Sequence, residues 1–266
     1  MMKKERVACL GPKGSYSHLA ASILHADAEL VLCPDFGEVV ERLTDGTVEK
    51  AVLPVENSIQ GCVLKCLDLL ERYPVFADKE YVLKVDHRIA VRSGTEYEKI
   101  ERIYSHEQAL SQCAKYLRKR FPDATLIPTR STVESLAKLD FHSAGIVGSH
   151  VQAEGIELSE ENIADEKCNF TRFFRLVREG ELPSRSKKLF FCAVCRHEPG
   201  MLGELLSVFA TSKINLTKIE SRPVADSFGE YRFFIEIEGD CADERIGRAL
   251  ELAQEKCRHF RLIGAY

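Results

Sequence analysis

The chain has 266 residues, a formal net charge of −4, 45% hydrophobic residues and 29% charged residues. That length favours two domains, each large enough for its own core, and the composition is that of a soluble globular protein. The weakly acidic balance excludes a basic field for gathering nucleic acid, the absence of about 18 consecutive apolar residues excludes a membrane-spanning helix, and an anionic small molecule would need local cations.

The opening segment MMKKERVACLGPKG has no apolar stretch of signal-peptide length. A cytoplasmic location is therefore expected, and the ten cysteines are expected to remain thiols. Cys192 and Cys195 have CxxC spacing, so zinc is the alternative there. KLFFCAVCR nevertheless patterns as a strand, in which residues three apart face opposite sides. Cys62 and Cys66 have helical i, i+4 spacing without a further ligand at an obvious interval, which favours buried thiols.

Short apolar runs alternate with amphipathic stretches from the start: RVACL and SHLAASILHA, LVLCP and FGEVVERLTDG, then KAVLPV and a helix expected from Gln60 to Tyr73. A second set follows, with YVLKVDHRIAV, ERIYS, a helix from Glu107 to about Arg120, ATLIPT, a helix over VESLAKL, and SAGIVGS. This βα rhythm predicts a largely parallel sheet. TRFFRLV comes after the second set and can return to either group, which gives two α/β lobes with a cleft between them. REGELPSRSKK, 178 to 188, has the polar composition of a linker. Beyond it, LFFCAVC, PGMLGELLSVFATS, INLTKIESRP, EYRFFIEIEG, DERIGRALELAQEKC and FRLIGAY follow the order βαββαβ, with the two middle strands joined through VADSFG. The expected division is 1–183 and 188–266.

Polar residues collect where these strands end. GPKGSYSH, 11 to 18, matches neither common nucleotide-binding glycine pattern, and its plain alternative is a turn in which Ser17 caps the next helix. LPVENSIQG, YSHEQAL and PTRST repeat the arrangement, and the strand NFTRFFRLV opens with Asn169, Thr171 and Arg172, whose polar groups need partners. Any one of these could be ordinary capping. Together they favour a cleft for a small polar ligand at the C-terminal ends of strands.

In this order the segments resemble the prephenate dehydratases. GPKGSYSHLAA is similar to the family's glycine loop, PVENSIQG carries its P-[IV]-E-N-S segment, and Thr171, Arg172 and Phe173 form its T-R-F segment. The C-terminal segment resembles the ACT regulatory domain through PGML and NLTKIESRP. Departures are Ser15 and Tyr16 in place of Thr and Phe, Glu107 in place of Pro, and Met201 in place of Ala.

The resemblance implies an α/β protein: a two-lobed catalytic domain resembling periplasmic-binding-protein lobes, then a ferredoxin-like βαββαβ ACT domain. It implies decarboxylating dehydration of prephenate to phenylpyruvate, without metal or organic cofactor, with L-phenylalanine as feedback effector and a homodimer or homotetramer as the assembly. Arg172 is the expected carboxylate clamp, its plain alternative being an ion pair with Asp or Glu. Thr171 is expected to polarise the departing hydroxyl. Ser15, Asn57, Ser58, Ser105, Gln108, Ser131, Thr132, Asn169 and Phe173 are the expected substrate-binding residues, and Ser131 and Thr132 also suit helix capping. Glu56 is assigned a structural role and His106 stays outside the catalytic set. Pro199, Gly200, Met201, Leu202, Asn215, Glu220, Ser221, Arg222 and Pro223 are the expected phenylalanine site, with the Asn215 carbonyl offered to the ammonium. Arogenate dehydratase, and an amino-acid-sensing binding protein without turnover, are the alternatives.

Overall fold

The first βα repeats build a lobe around β1 (Arg6–Leu10), flanked in parallel by β2 (Glu29–Cys33) and β3 (Lys50–Asn57) in the computed structural model, which describes residues 4–178, 183–224 and 227–266. Helices α1 (Tyr16–Leu24), α2 (Phe36–Thr44) and α3 (Leu64–Arg72) cover this sheet. Val39, Val40 and Leu43 of α2, and Cys66, Leu67 and Leu70 of α3, recur at helical spacing and are buried in one core with Leu53 and Phe174. The helix expected from Gln60 starts only at Leu64. Gly61–Cys62 instead form a short strand, β4, paired antiparallel with Glu56 and Asn57, so Cys62 and Cys66 share no helix face.

The sheet is less parallel than the βα rhythm predicts. β5 (Val75–Lys84) lies antiparallel to β11 (Phe170–Arg178), which lies antiparallel to β3. The cause is chain path: after Lys84 the chain crosses to a second lobe, and β11 is its return to the first. YVLKVDHRIAV, which reads as one strand, is split at this crossing, and β6 (His87–Arg92) opens the second lobe.

The second sheet runs β10 (Ile156–Leu158), β6, β9 (Ser143–Gly148), β7 (Arg102–His106), β8 (Thr125–Thr129), with β7, β8 and β9 parallel and β6 and β10 antiparallel. The helix expected after Glu107 is two short ones, α4 (Glu107–Gln112) and α5 (Ala114–Arg120), interrupted at Cys113. VESLAKL makes a 3-10 turn, Val133–Lys138, where the Ser135 hydroxyl donates to the Thr132 carbonyl and competes with helical bonding.

The remaining chain forms β12 (Lys188–Cys195), α6 (Met201–Thr211), β13 (Leu216–Val224), β14 (Ser227–Glu238), α7 (Glu244–Glu255) and β15 (Cys257–Ala265), the expected βαββαβ order, in a sheet ordered β13-β14-β12-β15. Residues 179–182 of the linker and 225–226 of the VADSFG turn lie outside the described residues. β15 runs parallel to β5 through Gly264 and Ala77, which makes the first lobe and the βαββαβ unit one continuous sheet. A Cβ at Gly264 would come within 2.8 Å of both the Cβ and the carbonyl oxygen of Ala77, so this close approach needs glycine. Phe190, Phe234 and Ile263 also join the first lobe's core. No described helix is long and apolar enough to cross a membrane.

Candidate active site

The two lobes enclose a cleft of about 500 Å3 at the ends of β3, β7 and β11. Thr171 and Phe173, two apart on β11, both face it. Phe173 is buried and supplies an apolar wall. No Lys, Arg, Asp or Glu is among the described residues lining this space, so the expectation of local cations is not met there.

Asn57, at the end of β3, organises the polar floor. Its Oδ1 accepts from the backbone N–H groups of Ile59 (3.0 Å) and Gln60 (3.1 Å). Its Nδ2 donates to Asn169 Oδ1 (2.8 Å), to Thr171 Oγ1 (3.1 Å) and to the Phe170 carbonyl (3.2 Å). Asn169, completely buried, donates through Nδ2 to Gln112 Oε1 (2.9 Å), and His87 Nε2 meets that same oxygen at 2.9 Å. Burial lowers the basicity of His87 below its ordinary value, against the opposing hydrogen bond to Gln112 and the charge of Asp86.

Tyr16 ties the helix start to the lobe crossing. Its hydroxyl donates to the Asp86 carbonyl (2.7 Å) and accepts from the Asp86 N–H (3.1 Å). Burial pushes its phenol well above the ordinary range, so it stays protonated.

Arg172 is the principal correction. As Thr171 faces the cleft, the next residue on the strand faces the opposite side, where the guanidinium contacts Glu236, Glu80 (2.7 Å), Glu56 (3.5 Å) and the Tyr266 hydroxyl (3.0 Å). Desolvation opposes its charge, but Tyr266, Glu236 and Glu80 outweigh it and hold the guanidinium above its ordinary pKa. In this arrangement Arg172 pins β11 to β14 and β15 and does not clamp a ligand in the cleft. Glu56 completes that ionic cluster through Lys218 (2.7 Å).

Among the expected substrate-binding residues, Asn57, Gln108, Thr132 and Phe173 line the cleft beside the expected catalytic Thr171, and Asn169 lies one hydrogen bond behind it. Ser15 does not line it. Ser15 caps α1, accepting from the His18 N–H (3.2 Å), so the cap is Ser15 rather than Ser17. Ser58 is turned outward, where its hydroxyl accepts from the Phe170 N–H (2.9 Å) and donates to the Cys168 carbonyl. Ser105 is fully buried and donates to the Ile146 carbonyl (2.7 Å), which makes it a tie between the neighbouring strands β7 and β9 of the second sheet. Ser131 accepts from the Glu134 N–H and lines a neighbouring hollow with Gly11 and Pro12. His106, left out of the expected set, does line the cleft, as do Gln112, His87 and Tyr16. Gln112 and His87 carry no local sequence signal: one closes an interrupted helix and the other is hidden inside an apparently continuous strand.

A second hollow, about 360 Å3, lies against the start of α6 and is lined by Pro199, Met201 and Leu202 of the expected effector site, with Arg196, Glu198 and Tyr231. Gly200 sits at φ 88°, a left-handed conformation that glycine adopts freely and that turns the chain into α6. The rest of the expected set is elsewhere. Asn215's carbonyl already accepts from the Glu238 N–H (2.9 Å), Glu220 meets the Cys62 thiol (3.3 Å), and Arg222 pairs with Asp68 of α3 (2.7 Å). Ser221 and Pro223 alternate with these residues and point outward from the edge strand β13.

Comparison with known proteins agrees with this arrangement. The family model for prephenate dehydratase matches residues 7–181 and that for the ACT domain matches residues 192–251. A bifunctional chorismate mutase/prephenate dehydratase of Aquifex aeolicus is 34% identical over 99% of this chain and 74% of its own length. Arogenate dehydratase 2 of Petunia hybrida is also 34% identical, over 98% of this chain and 71% of its length. The crystal structure of a prephenate dehydratase from Arthrobacter aurescens, in complex with L-Phe, superposes with a TM-score of 0.90 at 29% identity, covering 98% of this chain and 90% of that one. With a two-lobed dehydratase cleft and a βαββαβ unit continuous with it, the chain belongs to the prephenate dehydratase family of lyases and carries an ACT domain.

Proposed function

We propose that the cleft converts prephenate to phenylpyruvate, carbon dioxide and water, with Thr171 as the donor to the departing hydroxyl. The electron pair of the bond between ring and carboxylate moves into the ring as carbon dioxide leaves. The C4–O bond breaks, and the hydroxide, polarised by a hydrogen bond from Thr171, takes up one proton from solvent and leaves as water. Aromatisation drives the step, so it calls for position and polarity rather than an electron acceptor.

The observation that carries this reading is the state of the Thr171 hydroxyl: Asn57 occupies one of its lone pairs, and its proton has no acceptor among the described residues. Neutral donors and the N-terminal end of α1, whose Tyr16 and Ser17 line the cleft, meet the two carboxylates in place of a cationic clamp. Among the described residues the cleft also has no lining carboxylate that would pair with an ammonium, which favours prephenate's keto group over arogenate's amine. An amino-acid sensor would have no use for the free Thr171 proton.

Residues 1–183 are the catalytic part and 188–266 the regulatory part in this reading. L-Phenylalanine is the effector, held at the hollow beside α6. Pairing of two copies along the exposed edge of β13 would bring Ser221 and Pro223 of one to the hollow of the other, which accounts for their outward direction and makes a homodimer, or a homotetramer built from two such dimers, the working form.

The test is turnover of prephenate and of arogenate by the purified protein. Phenylpyruvate formed with a kcat/KM at least about tenfold above that for phenylalanine formation is the expected result. The reverse ratio would establish the arogenate reading, and tight prephenate binding without product would establish the sensor.

A further inference from the structure

We propose that His87 is a positioning residue for the reaction: its Nε2–H shares Gln112 Oε1 with Asn169 and so completes a network of fixed donor directions, through Asn169 and Asn57, that leaves the Thr171 proton free for the substrate. The direction of the chain is set at its far end. Backbone N–H groups can only donate, so those of Ile59 and Gln60 make Oδ1 the acceptor end of the Asn57 amide. Nδ2 is then the donor to both Asn169 Oδ1 and Thr171 Oγ1. Asn169, accepting on oxygen, must donate from Nδ2 to Gln112 Oε1. The ring nitrogen facing that same oxygen must carry a proton, which assigns neutral His87 as the Nε2–H tautomer with a bare Nδ1.

Each link excludes the flipped alternative of the next. If His87 presented a lone pair to Gln112, the Gln112 amide would turn and offer Nε2 to both neighbours. Asn169 would then face it donor to donor, and restoring that bond by turning Asn169 would set two donors against Asn57, whose orientation the backbone holds. The chain would break beside Thr171, and Asn57 would lose the acceptor that holds its amide against the hydroxyl.

The placement of the five groups gives the chain a mechanical meaning as well. His87 and Gln112 belong to the second lobe, Asn169 to the returning crossing, and Asn57 and Thr171 to the first lobe. The Asn169 carbonyl also accepts from the Val85 N–H (2.8 Å), tying the two crossings together. The hydroxyl is aimed only when the lobes sit in this register. His87 is 3% exposed, packs edge-on to Tyr16 at 6.1 Å, and its Nδ1 and the Gln112 Nε2 are buried with no hydrogen-bond partner among the described residues. An apolar residue would fill that space with less cost, so the imidazole is retained for what Nε2 does.

The inference rests on Thr171 being the donor, and the experiment separates the two. Nitrogen-15 NMR of the imidazoles in the parent protein reads the tautomer directly, and His87→Leu and His87→Gln are assayed on prephenate beside Thr171→Val, with thermal unfolding as a control for folding. We expect the Nε2–H tautomer, a kcat about ten- to a hundredfold lower in His87→Leu with KM changed less than about threefold, and recovery in His87→Gln to within about fivefold of the parent, since its amide nitrogen reaches where Nε2 was. An Nδ1–H tautomer, or unchanged kcat in His87→Leu, would overturn the positioning role. So would a loss confined to KM, which would make His87 a substrate contact, or an equal loss in a stably folded His87→Gln. Normal kcat in Thr171→Val would instead remove the reading on which it rests.

Discussion

Thr171 and Arg172 are neighbours with opposite duties, because a strand sends successive side chains to opposite faces. The same alternation that separates Cys192 from Cys195 separates this pair, so Thr171 lines the cleft and Arg172 does not; the T-R-F resemblance, taken as a block, obscures that parity. Arg172 instead sits 11% exposed among Glu236, Glu80 and Glu56, with its guanidinium also over the rings of Phe174 and Tyr266. Arg172→Met should therefore destabilise the fold by leaving Glu236 uncompensated, toward the lower end of the about 3–5 kcal/mol typical of a broken buried pair, since Thr217, Tyr266 and Lys188 still surround that carboxylate. Chemical denaturation checks the stability. In the fraction that remains folded, KM for prephenate should stay near the parent value, whereas a carboxylate clamp would show a large rise in KM.

At the scale of elements, the Glu236 carboxylate ties β14 to the catalytic lobe, beside the Arg232–Glu71 pair and the buried Phe234. Burial alone would raise the pKa of Glu236, but hydrogen bonds from Arg172 and Thr217 and the charge of Arg172 bring it below the ordinary 4.5. A carboxylate lowered on folding adds stability that is present above its unfolded pKa and is lost as pH falls through the folded value. Between about pH 6 and about pH 3.5 the parent should therefore lose more unfolding free energy than Glu236→Gln does, and equal losses in paired denaturant titrations would show that the pair contributes nothing. The βαββαβ unit was legible from hydrophobic periodicity, because each strand and helix buries one face. The polar strand ends also marked Asn57, Asn169 and Thr171. What stayed hidden depended on chain path: the antiparallel return of β11, the break at Val85 and Asp86, and hence the meeting of His87 with Gln112 are set by contacts between residues far apart in the chain, and no local pattern encodes them.

For the whole molecule, the continuous sheet gives the ACT unit a physical route to the cleft. Glu220 and Lys218 of β13 reach Cys62 and Glu56, and Cys62 lines the cleft, so the effector unit and the substrate share a wall two residues wide. If phenylalanine occupies the hollow beside α6, its binding and that of prephenate must oppose each other by the same factor. Leu202→Glu in the intact protein places a second anion where the effector carboxylate would lie, and should abolish the heat of phenylalanine titration while leaving prephenate turnover within about twofold. Phenylalanine binding that survived this substitution would move the effector site elsewhere. The central claim is that the Thr171 hydroxyl, aimed into a cleft with no charged wall among the described residues, polarises the departing hydroxide. It is tested most directly by the steady-state kinetics of Thr171→Val on prephenate. The account predicts a kcat about a hundred- to a thousandfold below the parent with KM little changed, and a kcat near the parent value would contradict it.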